Sequence, residues 1–164
     1  MSESYNFTES ERAYLSRAEQ YCATSEQCCS TVRDKLVTWG ASRELTGHIV
    51  DRLVADGFID EERYCRLYCD SKLRLQKWGR VKIAYQLRGK QINNKLIESS
   101  IQHIDPELYN STLRQLAENK MKTINDSDPR KRQSKLMSFL ASHGFTPTEI
   151  HNIITELNSN DPTE

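Results

Sequence analysis

A chain of 164 residues with 37% hydrophobic and 28% charged content is lean for one compact globule. It suits a few small units stacked together, where surface is large relative to volume. The formal net charge of zero gives the whole chain no bias toward a polyanion or an acidic surface. No apolar run approaches the roughly 18 residues that cross a bilayer.

The N-terminus, Met1-Ser2-Glu3-Ser4-Tyr5, is acidic and lacks the apolar segment of a secretory signal, so a cytoplasmic protein without membrane partners is expected. An odd set of cysteines in such a chain, Cys22, Cys28, Cys29, Cys65 and Cys69, argues against a disulfide framework. No pair has CxxC spacing and no histidine stands at a zinc-site distance from them. They read as small buried hydrophobes in helices, and neither metal nor cofactor is expected.

In chain order, residues 1–7 read as a disordered tail. Thr8 with Glu11 makes a capping box, in which each side chain meets an orphan backbone amide at the start of a helix. Ala13, Leu15, Ala18, Tyr21 and Cys22 follow at helical spacing. Ser25 is expected to cap a second helix carrying Cys28, Cys29, Val32, Leu36 and Trp39, with Gly40 at its left-handed stop. Ser42 caps a third, with Leu45, Ile49, Val50 and Leu53 before Gly57.

The pattern then repeats. Leu36, Leu87 and Leu140 align without a gap, at offsets of 51 and 53 residues. Four positions earlier stand Val32, Ile83 and Leu136; four later, Gly40, Gln91 and Gly144; six later, Ser42, Asn93 and Thr146. Apolar positions fall on one face, a turn residue follows, and a side-chain oxygen caps the next helix. Gln91 is the misfit, because a residue with a Cβ bears about 1 kcal/mol of strain in the left-handed region.

The first helix of each unit is less alike. Asp60 caps one with Glu61 and Glu62 in its first turn, and Tyr64, Leu67, Tyr68, Leu73 and Leu75 carry it on to Trp78-Gly79. Asp105-Pro106 opens the next, through Leu108, Leu113, Leu116 and Met121; Asp128-Pro129 and Thr146-Pro147 open the last two. Strand alternation is absent. The expected fold is all-α: three tandem three-helix repeats in an elongated, curved array, at 8–57, 58–104 and 105–158, with a tail at 159–164.

The neutral total hides a basic middle. Ser71 to Ile97 holds Lys72, Arg74, Lys77, Arg80, Lys82, Arg88, Lys90 and Lys95 and no acidic residue, whereas both flanks are acidic on balance. Its apolar pattern is Val81, Ile83, Ala84 and Leu87, then Leu96, Ile97 and Ile101. An acid-free basic segment suits a polyanion or an acidic protein surface, against the alternative of a solvated helix face. A second cluster is Arg130, Lys131, Arg132 and Lys135. Trp39 and Trp78, each before a glycine, read as junction packing rather than base-stacking platforms, and Tyr64 and Tyr68 as core with their hydroxyls at the edge. No catalytic constellation is readable, and no enzyme is expected.

Three blocks carry a resemblance. Gly57-Phe58-Ile59-Asp60-Glu61-Glu62-Arg63-Tyr64, then Trp78-Gly79 with Lys82-Ile83, Leu87, Lys90 and Ile92, then Lys135-Leu136, Phe139-Leu140 and Gly144-Phe145 resemble, in order, three motifs of the RecX family of recombinase regulators. Cys65, Gln91 and His143 replace an alanine, a glycine and a common basic residue of those motifs. The resemblance implies a monomeric, non-catalytic regulator that binds the RecA recombinase as its filament on single-stranded DNA, lodges in the filament groove and lowers ATP hydrolysis, extension and strand exchange. It also implies weak electrostatic binding of single- or double-stranded DNA. The basic residues named above are the expected contacts. The competing reading is a stand-alone DNA-binding protein that places the basic middle helix in a major groove. A TPR-like scaffold does not fit a period of 51–53 residues.

Overall fold

In the computed structural model, which describes residues 4–160, the helices are α1 (Glu9–Thr24), α2 (Cys29–Thr38), α3 (Arg43–Ala55), α4 (Glu61–Ser71), α5 (Arg80–Gly89), α6 (Asn94–Gln102), α7 (Pro106–Met121), α8 (Pro129–Ser142) and α9 (Pro147–Ser159). A π-helical turn, Lys72–Gln76, extends α4. Among the described residues there is no strand. The expected tails lie partly outside this range, at residues 1–3 and 161–164.

The internal repeat is a repeat of caps and turns. Ser42, Asn93 and Thr146 each accept a backbone N–H in the first turn of α3, α6 and α9. Gly40, Gln91 and Gly144 all take positive φ, at 100°, 60° and 92°. Each donates its N–H three residues back, to Val37, Arg88 and Ala141. Gln91 therefore carries the expected strain. Leu36, Leu87 and Leu140 are each 0% exposed. The capping boxes Thr8–Glu11 and Thr146–Glu149 are both closed.

Three expectations are corrected. Ser25 does not cap α2: it is extended beyond the end of α1 and accepts from Gln27 Nε2 at 2.8 Å, and α2 starts after Cys28. Burial of Cys28 in the neighbouring unit sets that start, with its Sγ 3.1 Å from Thr31 Oγ1. The helix from Asp60 does not run unbroken to Trp78-Gly79; it widens into the π turn and stops at Lys77, a left-handed residue with φ 58°. The inserted residue keeps Leu73 buried behind Cys65 and Cys69 while Leu75 turns out to solvent. Val81 is exposed, so the buried face of α5 is Ile83, Ala84 and Leu87.

Among the described residues the nine α-helices bury two hydrophobic cores. The first is closed by α1–α3, around Ala18, Val32, Leu36, Ile49, Leu53 and Ile59. The second runs without a break through α4–α9, from Cys65, Leu73, Ile83 and Leu87 to Tyr109, Leu140, Phe145 and Ile153. Cys28 is the residue of the first unit that belongs to it. The array is elongated: it exposes 10878 Å², where a compact monomer of this mass exposes about 8,400 Å².

The seam between the second and third units tolerates no side chain. A Cβ at Gly79 would stand 2.5 Å from the Gly144 carbonyl oxygen, and one at Gly144 would overlap the Lys82 backbone. Gly144→Ala, at φ 92°, is expected to lower stability by about 2–4 kcal/mol from backbone strain plus overpacking, whereas Gln91→Gly raises it by about 0.5 kcal/mol. Urea unfolding of the two variants checks both signs.

Burial also pushes up the thiols of Cys65, to about 11, and Cys69, to about 12. A folded value above the unfolded one, about 8.5, means that the folded state holds these protons more tightly. Their contribution to stability is then fully present below about pH 8.5 and is lost as pH rises toward 11–12. Unfolding free energies of the wild type and of Cys65→Ala at pH 7.5 and pH 10 should converge as pH rises; a constant gap would contradict this assignment.

Candidate nucleoprotein interface

The helix that carries Arg80, Lys82 and Arg88 of the basic stretch, α5, begins without a side-chain cap, since its N-cap is Gly79. Its first amides must find acceptors elsewhere, and the third unit supplies them. Gly79 N–H donates to the His143 carbonyl at 2.7 Å and Val81 N–H to the Gly144 carbonyl at 3.0 Å. Arg80 N–H donates to the Tyr109 hydroxyl at 3.1 Å, and that hydroxyl donates to Glu149 Oε2 at 2.7 Å. His143 donates from Nδ1 to the Lys77 carbonyl at 3.0 Å. Burial holds the Tyr109 hydroxyl far above the usual phenol value, so it stays a donor.

This seam sorts the sequence-derived candidates. Arg80 is turned inward: its guanidinium lies 3.8 Å from the Tyr109 ring centroid and 3.4 Å from Glu149 Oε1. Lys82 donates from Nζ to the Ser142 carbonyl at 3.3 Å while standing 4.9 Å from the Trp78 ring centroid. Lys77 is half-buried at the left-handed stop. Arg74 pairs with Asp70 at 2.8 Å one turn earlier on the solvent face. Arg88 donates to Asn94 Oδ1 at 3.3 Å and Lys95 lies exposed in the first turn of α6, so the two frame the α5–α6 turn.

Lys72, Lys82 and Lys90 come together from three places in the chain. Lys72 Nζ lies 5.4 Å from the Tyr68 ring centroid and 5.0 Å from that of Trp78, and Lys90 Nζ lies 5.9 Å from Tyr68. Both rings are half-buried. Trp78 thus packs at the junction as the sequence suggests, yet keeps a surface on which two ammonium groups rest. Sequence spacing offers no signal for this, because the π turn sets how Trp78 sits relative to Tyr68.

The second cluster is separate. Arg130, Lys131, Arg132 and Lys135 are exposed on the first half of α8, where basic groups face the positive end of the helix dipole. Asp128 offsets this by capping α8, and Lys135 pairs with Asp126 at 3.1 Å. The Asp128 amide and Lys135 together hold the Asp126 carboxyl below its ordinary value. Among the described residues, no group of three or more His, Cys, Asp or Glu side chains converges as a metal site. No helix there is long and apolar enough to cross a membrane.

Comparison with known proteins now places the chain. Residues 60–101 match the model of the second three-helix domain of RecX and residues 107–154 that of the third. The chain belongs to the RecX family. It is 32% identical to the regulatory protein RecX of Clostridium tetani over 128 residues, 77% of this chain and 58% of that protein, and so spans about three fifths of this relative. It is 26% identical to that of Prosthecochloris aestuarii over 151 residues, 91% of this chain and 96% of that protein. The crystal structure of RecX from Lactobacillus salivarius has the same fold, with a TM-score of 0.83 at 21% identity over 93% of this chain and 99% of that one.

The seam makes a quantitative demand on Arg80. A double-mutant cycle on Arg80→Ala and Glu149→Ala is expected to give a coupling of about 1 kcal/mol or more for this half-buried, ring-backed pair. The exposed Arg74–Asp70 pair should give at most about 0.5 kcal/mol. Equal couplings in urea titrations would show that the seam does not depend on this ion pair.

Proposed function

We propose that this RecX-family chain binds the RecA recombinase on single-stranded DNA and restrains it, lowering ATP hydrolysis, filament extension and strand exchange. In this reading it regulates DNA repair and recombination from the cytoplasm. The observation that carries the reading is the acid-free basic stretch mounted on the middle unit of an elongated helical array, inside a family whose members are regulatory proteins. Such an array offers an extended surface that can follow a groove and touch successive subunits. The chain enters as a binding partner, with Arg88, Lys90 and Lys95 at the α5–α6 turn as its foremost contacts and the α8 cluster as a second point of attachment.

The stand-alone DNA-binding reading is less favoured on a specific ground. The N-terminal end of the basic helix α5 is occupied by the His143 and Gly144 carbonyls just past α8 and by Tyr109, so that end is not free to enter a major groove.

The test is DNA-dependent ATP hydrolysis by the cognate recombinase, titrated with this chain below one molecule per recombinase. Charge reversal belongs at Arg88, Lys90 and Lys95, which lie away from the seam, and not at Arg80, whose loss would loosen the fold. Suppression by the wild type that survives excess DNA and falls at least tenfold in potency in the triple variant is the expected result. Suppression abolished by excess DNA would reduce the chain to a competitor for the strand, and no suppression at all would overturn the reading.

A further inference from the structure

The third unit carries a turn of helix that its two counterparts lack. At the repeat offsets of 51 and 53 residues, Cys29 and Arg80, which begin α2 and α5, correspond to Gln133. Helix α8 begins earlier, at Pro129, so Pro129–Arg132 is an addition to the repeat. It adds nothing to the core, since every residue from Pro129 to Lys135 is exposed. Arg132 and Gln133 stand four and three positions before the buried Leu136, on the side of the helix where a packed α8 would carry apolar residues.

Because those positions are polar, the core stays open at this end. A groove of about 340 Å³ lies between α8, the last turns of α9 and the end of α7. Leu136 and Ile154, 4% and 8% exposed, lie at its floor. Met121, Ile124 and Leu157 wall it and are only partly buried. Arg132, Gln133 and Asn158 stand exposed at its mouth. The volume is at the small end for a binding cleft, which suits one or two side chains of a partner.

We propose that this groove docks an acidic protein segment, which seats apolar side chains over Leu136 and Ile154 and sets carboxylates against Arg132 and its neighbours Arg130 and Lys131. The inference rests on the reading of the α8 cluster as a point of attachment and names the chemistry attached there. Charge selects the occupant. Arg130, Lys131 and Arg132 form no ion pair among the described residues. The carboxylates around them are engaged elsewhere: Asp126 with Lys135, Asp128 as the cap of α8, and Glu156 with Arg114. The three cations also oppose the dipole of their own helix, so an outside anion relieves them. The lining excludes the other polyanion. A nucleic acid would meet the cations but finds no ring in the groove on which to stack a base, and would leave the aliphatic walls uncovered. An amphipathic acidic segment uses both, in the manner of a helix laid in a groove.

The experiment is fluorescence anisotropy of a labelled glutamate-rich peptide with two leucines one helical turn apart, titrated with the full chain. Controls are the same peptide with alanine for leucine, one with lysine for glutamate, and an oligothymidylate. The protein variants are Arg132→Glu and Asn158→Trp, the second placing an indole in the groove. Both positions are exposed and away from the seam, and retained thermal melting shows that each is folded. Expected are binding of the leucine peptide about tenfold or more tighter than the alanine peptide, and none of the lysine peptide. Asn158→Trp should erase the advantage of leucine over alanine, and Arg132→Glu should weaken the leucine peptide about fivefold. No binding of the leucine peptide, or equal binding of the leucine and alanine peptides, would overturn the groove. Oligothymidylate affinity that falls with Asn158→Trp as far as the peptide's does would assign the groove to nucleic acid and overturn the proposal. A concentration-dependent rise in sedimenting mass, lost in Asn158→Trp and without peptide binding, would assign it to a second copy and overturn it too.

The recombinase ATPase is run on the same proteins. Peptide binding as expected with suppression undiminished in Asn158→Trp supports the groove and gives its segment to a partner other than the filament. Suppression lost in Asn158→Trp without any peptide binding overturns the groove and leaves the filament reading standing.

Discussion

The fold beyond the first unit depends on how the open end of α5 is closed. A helix leaves its first amides without partners, and burying them unpaired costs about 1–3 kcal/mol each. Here the preceding glycine has no side chain to offer, and His143 and Gly144, the cap and stop that follow α8, lend their carbonyls instead. The arrangement sets the negative end of one helix dipole against the positive end of another. It works only at backbone contact distance, which is why Gly79 and Gly144 face each other across it. Tyr109, Glu149 and Arg80 then fasten its edge, and the core beneath runs continuously from α4 to α9.

That dependence explains which parts of the molecule could be read from the sequence. Caps and helix stops are local: Thr8 with Glu11, Ser42, Asn93, Thr146 and the left-handed Gln91 each answer to residues within a few positions. The three-fold repeat was legible for the same reason. The seam is not local. Tyr109, Glu149 and His143 lie 29 to 69 residues from the groups they bond, and nothing in their own neighbourhoods distinguishes them from a core tyrosine, a capping-box glutamate and a helix-end histidine. Ser25 misled because its spacing fits a cap, whereas the start of α2 is set by Cys28, which is buried in a different unit.

The same distinction divides the basic stretch. Read as a sequence, its eight cations are equivalent; in three dimensions they serve at least three ends. Arg80 neutralises Glu149 inside the fold, Arg74 closes a pair on its own helix, and Lys82 divides itself between a carbonyl of the third unit and the Trp78 ring. Lys72, Lys90, Arg88 and Lys95 make no ion pair among the described residues and stand on one unit. An interface built from that remainder is smaller and better defined than the sequence suggests. Its position is held by the seam rather than by the basic residues themselves.

The two units flanking this surface are joined to it by different means. The third shares a core with it, so displacing the third unit would expose Phe145, Leu140 and Tyr109 together. The first keeps a core of its own and meets α4 through Cys28, through the ion pair of Arg63 with Glu26, and through Arg63 Nη2 on the Gly57 carbonyl at 3.2 Å. Those are few contacts, and the ion pair is open to water on one side. The free energy needed to tilt the first unit is accordingly small beside that needed to part the second from the third.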